Sequence, residues 1–286
     1  MTLASDIFWR VKHAVAKWIG RKPRFFKEFS APLDPTMADR YSGQVAKLFF
    51  ENEGPIVEKW LHYLPIYDQM LGSHVGSKVR MVEIGVNRGG SLAMWRKFFG
   101  PDAVLFGIDI NPECAQFDGQ SARVMIGSQA DADFLRRVVK EMGGLDVVLD
   151  DGSHVASHQR ISFETLFPLL SEGGLYIIED LHTAYWPRFE GGLLRKGTAI
   201  EFLKEKIDAM HRHYVVAGAN RPESIPEIES VHFFDSIAVL HKRRQRARVH
   251  VVSPREDASS QFSRAISSRG LDGAVSSSRS SMSLLD

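Results

Sequence analysis

Between Val79 and Glu179 the chain alternates short apolar, β-branched runs with longer stretches whose apolar side chains recur at helical spacing. The short runs are Val79–Gly85, Ala103–Asp109, Arg123–Ile126, Asp146–Asp150 and Leu175–Glu179, each apolar nearly throughout, as strands buried on both faces are. Helical periodicity marks Ser91–Phe99, Asp131–Met142 and His158–Leu170 between them, and Thr198–His213 beyond. Glu229–Lys242 reads as two strands turning around Phe234-Asp235, a hairpin in which one strand runs antiparallel to its neighbours. This order predicts an α/β fold: a doubly wound, mostly parallel seven-stranded sheet with an antiparallel last strand and right-handed crossovers.

The flanks differ in character. Tyr41–Leu71 has helical periodicity broken at Gly54-Pro55, which predicts two N-terminal helices ahead of the sheet. Further upstream, Ser5–Lys22 repeats Ile7, Phe8, Val11, Val15, Trp18 and Ile19 among Arg10, Lys12, Lys17, Arg21 and Lys22, a basic amphipathic helix. Such a helix is suited to docking on its own domain or on a second copy of the chain, and less so to weak contact with a membrane surface. The prolines of Pro23–Pro35 read as a linker, and the Ser, Arg and Gly content after the basic cluster Lys242–Arg248 predicts a disordered C-terminal tail. The expected organisation is therefore helix and linker over 1–38, one main domain over 39–245, and tail over 246–286.

Composition narrows the function classes. A formal charge of +1 over 286 residues provides no global field for nucleic acid. One cysteine, Cys114, excludes an internal disulfide and a multi-cysteine zinc site and fits a reducing, cytoplasmic setting. Its expected role is a buried, idle thiol. No apolar run reaches the roughly 18 residues that a membrane span requires.

In open α/β sheets ligands bind beyond the carboxyl ends of the strands, and here those ends are rich in chemistry. The first closes with Glu83 and Gly85 before a glycine pair that opens a helix, a place where backbone can approach a ligand and free N–H groups point outward. The turn lacks the G-x-G-x-x-G spacing, and Glu83 would repel a pyrophosphate; a carboxylate there suits an amino group or a positive sulfonium ligand. The second strand ends in Asp109, placed to accept both hydroxyls of a ribose, and the third leads into Ser128 and Gln129, polar groups suited to an adenine edge.

The fourth strand ends Asp150-Asp151-Gly152-Ser153-His154 and the fifth ends Glu179-Asp180. If the two are neighbours, three or four carboxylates converge, and a hard divalent cation such as Mg²⁺ relieves their repulsion. Strand alternation turns Asp150 away from that group. His154 is placed to act as general base near neutral pH. His154 and His158 have the i, i+4 spacing of a helical zinc pair but lack the intervening glutamate of the zinc-protease motif, so His158 is expected to make a structural hydrogen bond at the helix start. The aromatic run His182–Trp186 can wall a ligand or simply pack under the sheet.

Taken together, VEIGVNRGGSL, FGIDI, LDDGSH, IEDLHTAYWP and the upstream KWLHYLPIYDQML make the region Tyr41–Lys242 resemble the metal-dependent sugar O-methyltransferases of antibiotic biosynthesis. The resemblance implies a Rossmann-like, class I methyltransferase fold and a glycosylated small molecule or glycan as acceptor. It implies Asp151, Glu179 and Asp180 as Mg²⁺ ligands and His154 as catalytic base. It also implies S-adenosyl-L-methionine bound near Glu83, Gly85, Asp109 and Gln129, with Ser128 and Asp151 completing the expected cofactor contacts. Catechol-type O-methyltransferases and a cephalosporin hydroxylase-like group share this framework, and a non-catalytic binding module is a further alternative.

Overall fold

A computed structural model describes residues 34–215, 227–244 and 249–251; the expected helix Ser5–Lys22, nearly all of the linker and nearly all of the tail lie outside them. Seven strands form one sheet: β1 (Arg80–Ile84), β2 (Val104–Asp109), β3 (Arg123–Ile126), β4 (Val147–Asp150), β5 (Leu175–Ile178), β6 (Ile228–Phe234) and β7 (Ile237–Lys242). Their order is β3-β2-β1-β4-β5-β7-β6. The first five pair in parallel, and β7 runs antiparallel between β5 and β6. The expected hairpin therefore supplies the antiparallel last strand. Its turn falls at Asp235-Ser236, one residue later than the sequence suggests, with Ser236 at φ +63°.

Helices α1 (Gln44–Phe50), α2 (Leu64–Leu71) and α3 (Gly90–Phe99) pack with Met81, Leu105, Val147, Leu149 and Ile177 on one face. On the other, α4 (Ala132–Met142), α5 (Ala156–Leu166) and α6 (Ala199–Met210) pack with Val82, Ile84, Ile108, Val148 and Ile178. Successive strand residues thus serve opposite cores, which explains why these strands read as continuous apolar runs.

Local chemistry sets the helix limits. Asp131 caps α4 by accepting from the N–H groups of Asp133 and Phe134, and the Thr198 hydroxyl accepts from Glu201 N–H at the start of α6. The stretch expected as one helix over His158–Leu170 starts two residues earlier and ends at Leu166, because Pro168 cannot donate into the preceding turn; Phe167–Leu169 tightens into a 3-10 turn. None of the described helices is long and apolar enough to cross a membrane.

Candidate active site

Sheet order reverses direction at β1, whose neighbours are β2 on one side and β4 on the other, so the ends of β1, β4 and β5 face one crevice. Parallel register sets Ile84 beside Asp150 and Asp150 beside Ile178. The next residue along each chain is Gly85, Asp151 and Glu179, side by side. Strand alternation turns Glu83, Asp151 and Glu179 to the α1–α3 face and Asp150 to the other. There Asp150 is fully buried, accepting from Ser162 Oγ at 2.8 Å, Gln129 Nε2 at 3.1 Å and Tyr176 OH at 3.2 Å.

At the centre of the carboxylates stands a residue that strand and helix patterning left unassigned. Lys59 Nζ donates to Asp151 Oδ2 at 2.5 Å and to Glu179 Oε2 and Oε1 at 2.8 and 2.9 Å, and lies 4.0 Å from Glu83 Oε1. Burial works against the ammonium, but Asp151, Glu179 and Glu83 outweigh it and hold the lysine well above its ordinary pKa. Burial pushes Glu83 up to about 7, with Lys59 opposing and Asp151 adding to the rise. Burial and then Asp151 raise Glu179 as well, Lys59 again opposing. Glu83 is also held by Ser91 Oγ at 2.9 Å and Trp95 Nε1 at 3.4 Å, and Glu179 accepts from Tyr67 OH at 2.6 Å. The only pointer to Lys59 in the sequence was its place in the KWLHYLPIYDQML motif.

His154 and Asp180 complete the group, both in the left-handed backbone region at φ +56°. His154 Nε2 lies 3.6 Å from Asp180 Oδ2 and 4.0 Å from Asp151 Oδ1. One ligand atom from each of Asp151, His154 and Asp180 falls within 4.8 Å of the other two, a grouping able to hold a metal ion. The two carboxylates suit a hard divalent cation of the Mg²⁺ or Mn²⁺ kind, with His154 Nε2 beside the ion rather than bound to it. Glu179 lies directly behind, with both its oxygens engaged by Lys59. His158 belongs to another network: its Nδ1 pairs with Ser153 Oγ at 2.9 Å at the start of α5.

The expected aromatic wall divides. Leu181 and Ala184 are in the core and Tyr185 is half exposed, whereas Trp186 joins Phe189, His182 and Trp60 in a chain of ring contacts that reaches His154.

The expected cofactor residues line the neighbouring strand ends. Gly85 takes φ +101°, and a Cβ there would overlap the Asp151 carbonyl, so only glycine lets β1 and β4 approach this closely beyond the sheet. Asp109 Oδ2 accepts from the N–H groups of Val86 and Asn87 at 2.9 and 3.1 Å, and its Oδ1 from Asn111 N–H at 2.8 Å, tying the β1 and β2 turns together. Ser128 Oγ accepts from Ala130 N–H, and Gln129 bridges Asp150 to the Ser153 N–H, the latter at 2.6 Å. Cys114 is buried, and burial pushes its thiol up to about 12, as an idle thiol would be.

Residues 82–181 match the family described as "Methyltransferase domain". Over 82% of its length the chain is 35% identical to the 8-demethyl-8-(2-methoxy-alpha-L-rhamnosyl)-tetracenomycin-C 3'-O-methyltransferase of Streptomyces olivaceus, covering 63% of that protein. Over 65% of its length it is 38% identical to the mycinamicin VI 2''-O-methyltransferase of Micromonospora griseorubida, covering 49% of it. The crystal structure of the MycE methyltransferase in complex with Mg and SAH superposes with a TM-score of 0.63 at 34% identity, covering 77% of this chain and 59% of that one. The chain thus spans about half to just under two thirds of the length of these relatives. It carries a methyltransferase domain of Rossmann-like fold whose similar relatives are sugar O-methyltransferases.

Proposed function

We propose that this chain is an S-adenosyl-L-methionine-dependent, divalent-cation-assisted O-methyltransferase acting on a sugar hydroxyl of a glycosylated natural product, polysaccharide or glycolipid in the cytoplasm. The observation that carries this reading is the convergence of Asp151 Oδ1, Asp180 Oδ2 and His154 Nε2 beside the Gly85–Gly90 turn. The MycE structures contain Mg and SAH, and one of them also contains mycinamycin VI.

In this reading Asp151 and Asp180 hold the cation through the oxygens they turn toward His154, with Glu179 joining them as Lys59 shares its grip. When bound, the cation makes an acceptor hydroxyl more acidic and the sulfonium cofactor supplies an electrophilic methyl group. His154 Nε2 takes the hydroxyl proton, and the carboxylates of Asp151 and Asp180 stabilise the imidazolium that results. Attack of the freed oxygen on the methyl carbon would break that carbon's bond to sulfur, with S-adenosylhomocysteine as the leaving group. Trp186 and Phe189 offer ring faces for the apolar side of a sugar and keep water from the reacting oxygen. The Gly85–Gly90 turn and Asp109 hold the aminoacyl and ribose ends, so the protein's main contribution is alignment.

Calorimetric titration with S-adenosyl-L-methionine, followed by transfer of a labelled methyl group to a panel of glycosides and catechols, tests the reading. Binding of the cofactor and EDTA-sensitive labelling of glycosides are expected. Absence of cofactor binding, or labelling confined to catechols, would overturn it.

A further inference from the structure

The segment ahead of α2 supplies more than packing. Trp60 Nε1 donates to Asp180 Oδ1 at 3.1 Å. The Tyr63 hydroxyl lies 3.1 Å from the same oxygen and 2.9 Å from the Ser236 carbonyl, which share its one proton, and it accepts from Asp180 N–H at 3.2 Å. One residue before Trp60, Lys59 takes Asp151 Oδ2. Each aspartate therefore has one oxygen fixed by this segment, and in each it is the other oxygen, Asp151 Oδ1 or Asp180 Oδ2, that faces His154 Nε2.

This division of labour does not follow from packing alone. Asp180 begins a 3-10 turn, Leu181–Tyr185, in a left-handed conformation with no capping bond from its own side chain. Its carboxylate direction is set instead by two donors more than a hundred residues away in sequence. Both are neutral, so they fix direction without competing in charge with a cation.

We propose that Trp60 and Tyr63 are positioning residues of the cation site, holding Asp180 so that only Oδ2 is presented to the ion. The proposal rests on the reading of this cluster as a divalent-cation site. Donors behind a metal-binding carboxylate reduce the entropy it loses on binding, and removing such partners weakens metal affinity by roughly 10- to 100-fold.

The test is binding of Mn²⁺ alone to the full chain, read as free Mn²⁺ by electron paramagnetic resonance, in wild type, Trp60→Phe and Tyr63→Phe. Both substitutions keep an aromatic ring and remove the donor. Circular dichroism and S-adenosyl-L-methionine titration of the same samples report folding and the cofactor end. Mn²⁺ affinity reduced about 10- to 100-fold with cofactor affinity unchanged is the expected result. Wild-type Mn²⁺ affinity in Trp60→Phe overturns the proposal, as does equal loss of Mn²⁺ and cofactor affinity, which would mark a merely structural role. Tyr63→Phe leaves the Ser236 carbonyl and the Asp180 N–H without their partner and is the variant more prone to unfold; Trp60→Phe then decides alone. Failure of wild type itself to bind Mn²⁺ overturns the cation-site reading and the proposal with it, a result distinct from failure of the variants to differ.

Discussion

Lys59 and Asp151 are 92 positions apart in the chain, yet Nζ and Oδ2 meet at 2.5 Å around a lysine side chain that is 2% exposed. Among the described residues Lys59 is the cation within reach of Glu83, Asp151 and Glu179 together. Lys59→Met removes it while leaving the acidic groups buried, and removing one partner of a buried ion pair costs about 3 to 5 kcal/mol. Urea unfolding should show a loss of that order. Added Mg²⁺ should raise the melting temperature of the variant more than that of wild type, because the cation replaces the missing charge; equal shifts would contradict this.

The approach of Gly85 to the Asp151 carbonyl makes a second prediction. Gly85→Ala places a Cβ inside that contact and forces a side chain into φ +101°, which together cost upward of about 1 to 3 kcal/mol. Both the unfolding midpoint and S-adenosyl-L-methionine affinity should fall, since relief of the clash must part the β1 and β4 ends. A variant with wild-type cofactor affinity would show that the turn does not touch the cofactor.

His154→Ala should leave the fold and cofactor affinity intact while lowering methyl transfer by about 10²- to 10⁴-fold, the range for loss of a general base. The two properties are separated by calorimetry and single-turnover labelling on one preparation. Retained transfer would assign proton removal elsewhere.

At the opposite end of the strands, Arg80 and Asp146 join the starts of β1 and β4 through contacts at 2.7 and 2.9 Å. Burial alone would raise the Asp146 pKa, but hydrogen bonds from Arg80 and Ser171 and the Arg80 charge bring it down to about 2. A depressed carboxylate stabilises the fold above its unfolded pKa of 3.8, and that contribution is lost as pH falls through about 2. Because the pair is partly solvated, its worth is on the order of 1 kcal/mol. Acid titration of stability should therefore be flatter between pH 4 and 2 for Asp146→Asn than for wild type, with the variant weaker at neutral pH.

The centre of the sheet was readable because β1, β2, β4 and β5 serve two cores and so are apolar nearly throughout, a signal that survives without any partner in view. Its ends were readable for the same reason: Glu83, Asp109, Asp151 and Glu179 interrupt apolar runs where solvent or a ligand must begin. Lys59 and Tyr63 were not assigned individually and Trp60 only as an apolar position of an expected helix; residues 56–60 form no helix, so the helical spacing read there does not tell which way these side chains point. Gln129 illustrates the converse. It reads as a polar group free to meet a ligand, but β4 brings Asp150 and the Ser153 N–H to its amide, a contact set by strand pairing rather than by local sequence.

The left-handed backbone of His154 and Asp180 has an evolutionary corollary. Glycine adopts φ +56° without steric penalty, so replacement by it would relax the chain at two points. A library scored for folding alone should enrich Gly at these positions, while one scored for methyl transfer should purge it. The left-handed backbone at these two positions thus marks where folding stability and the proposed chemistry pull in opposite directions, a trade that a stabilised design would have to break.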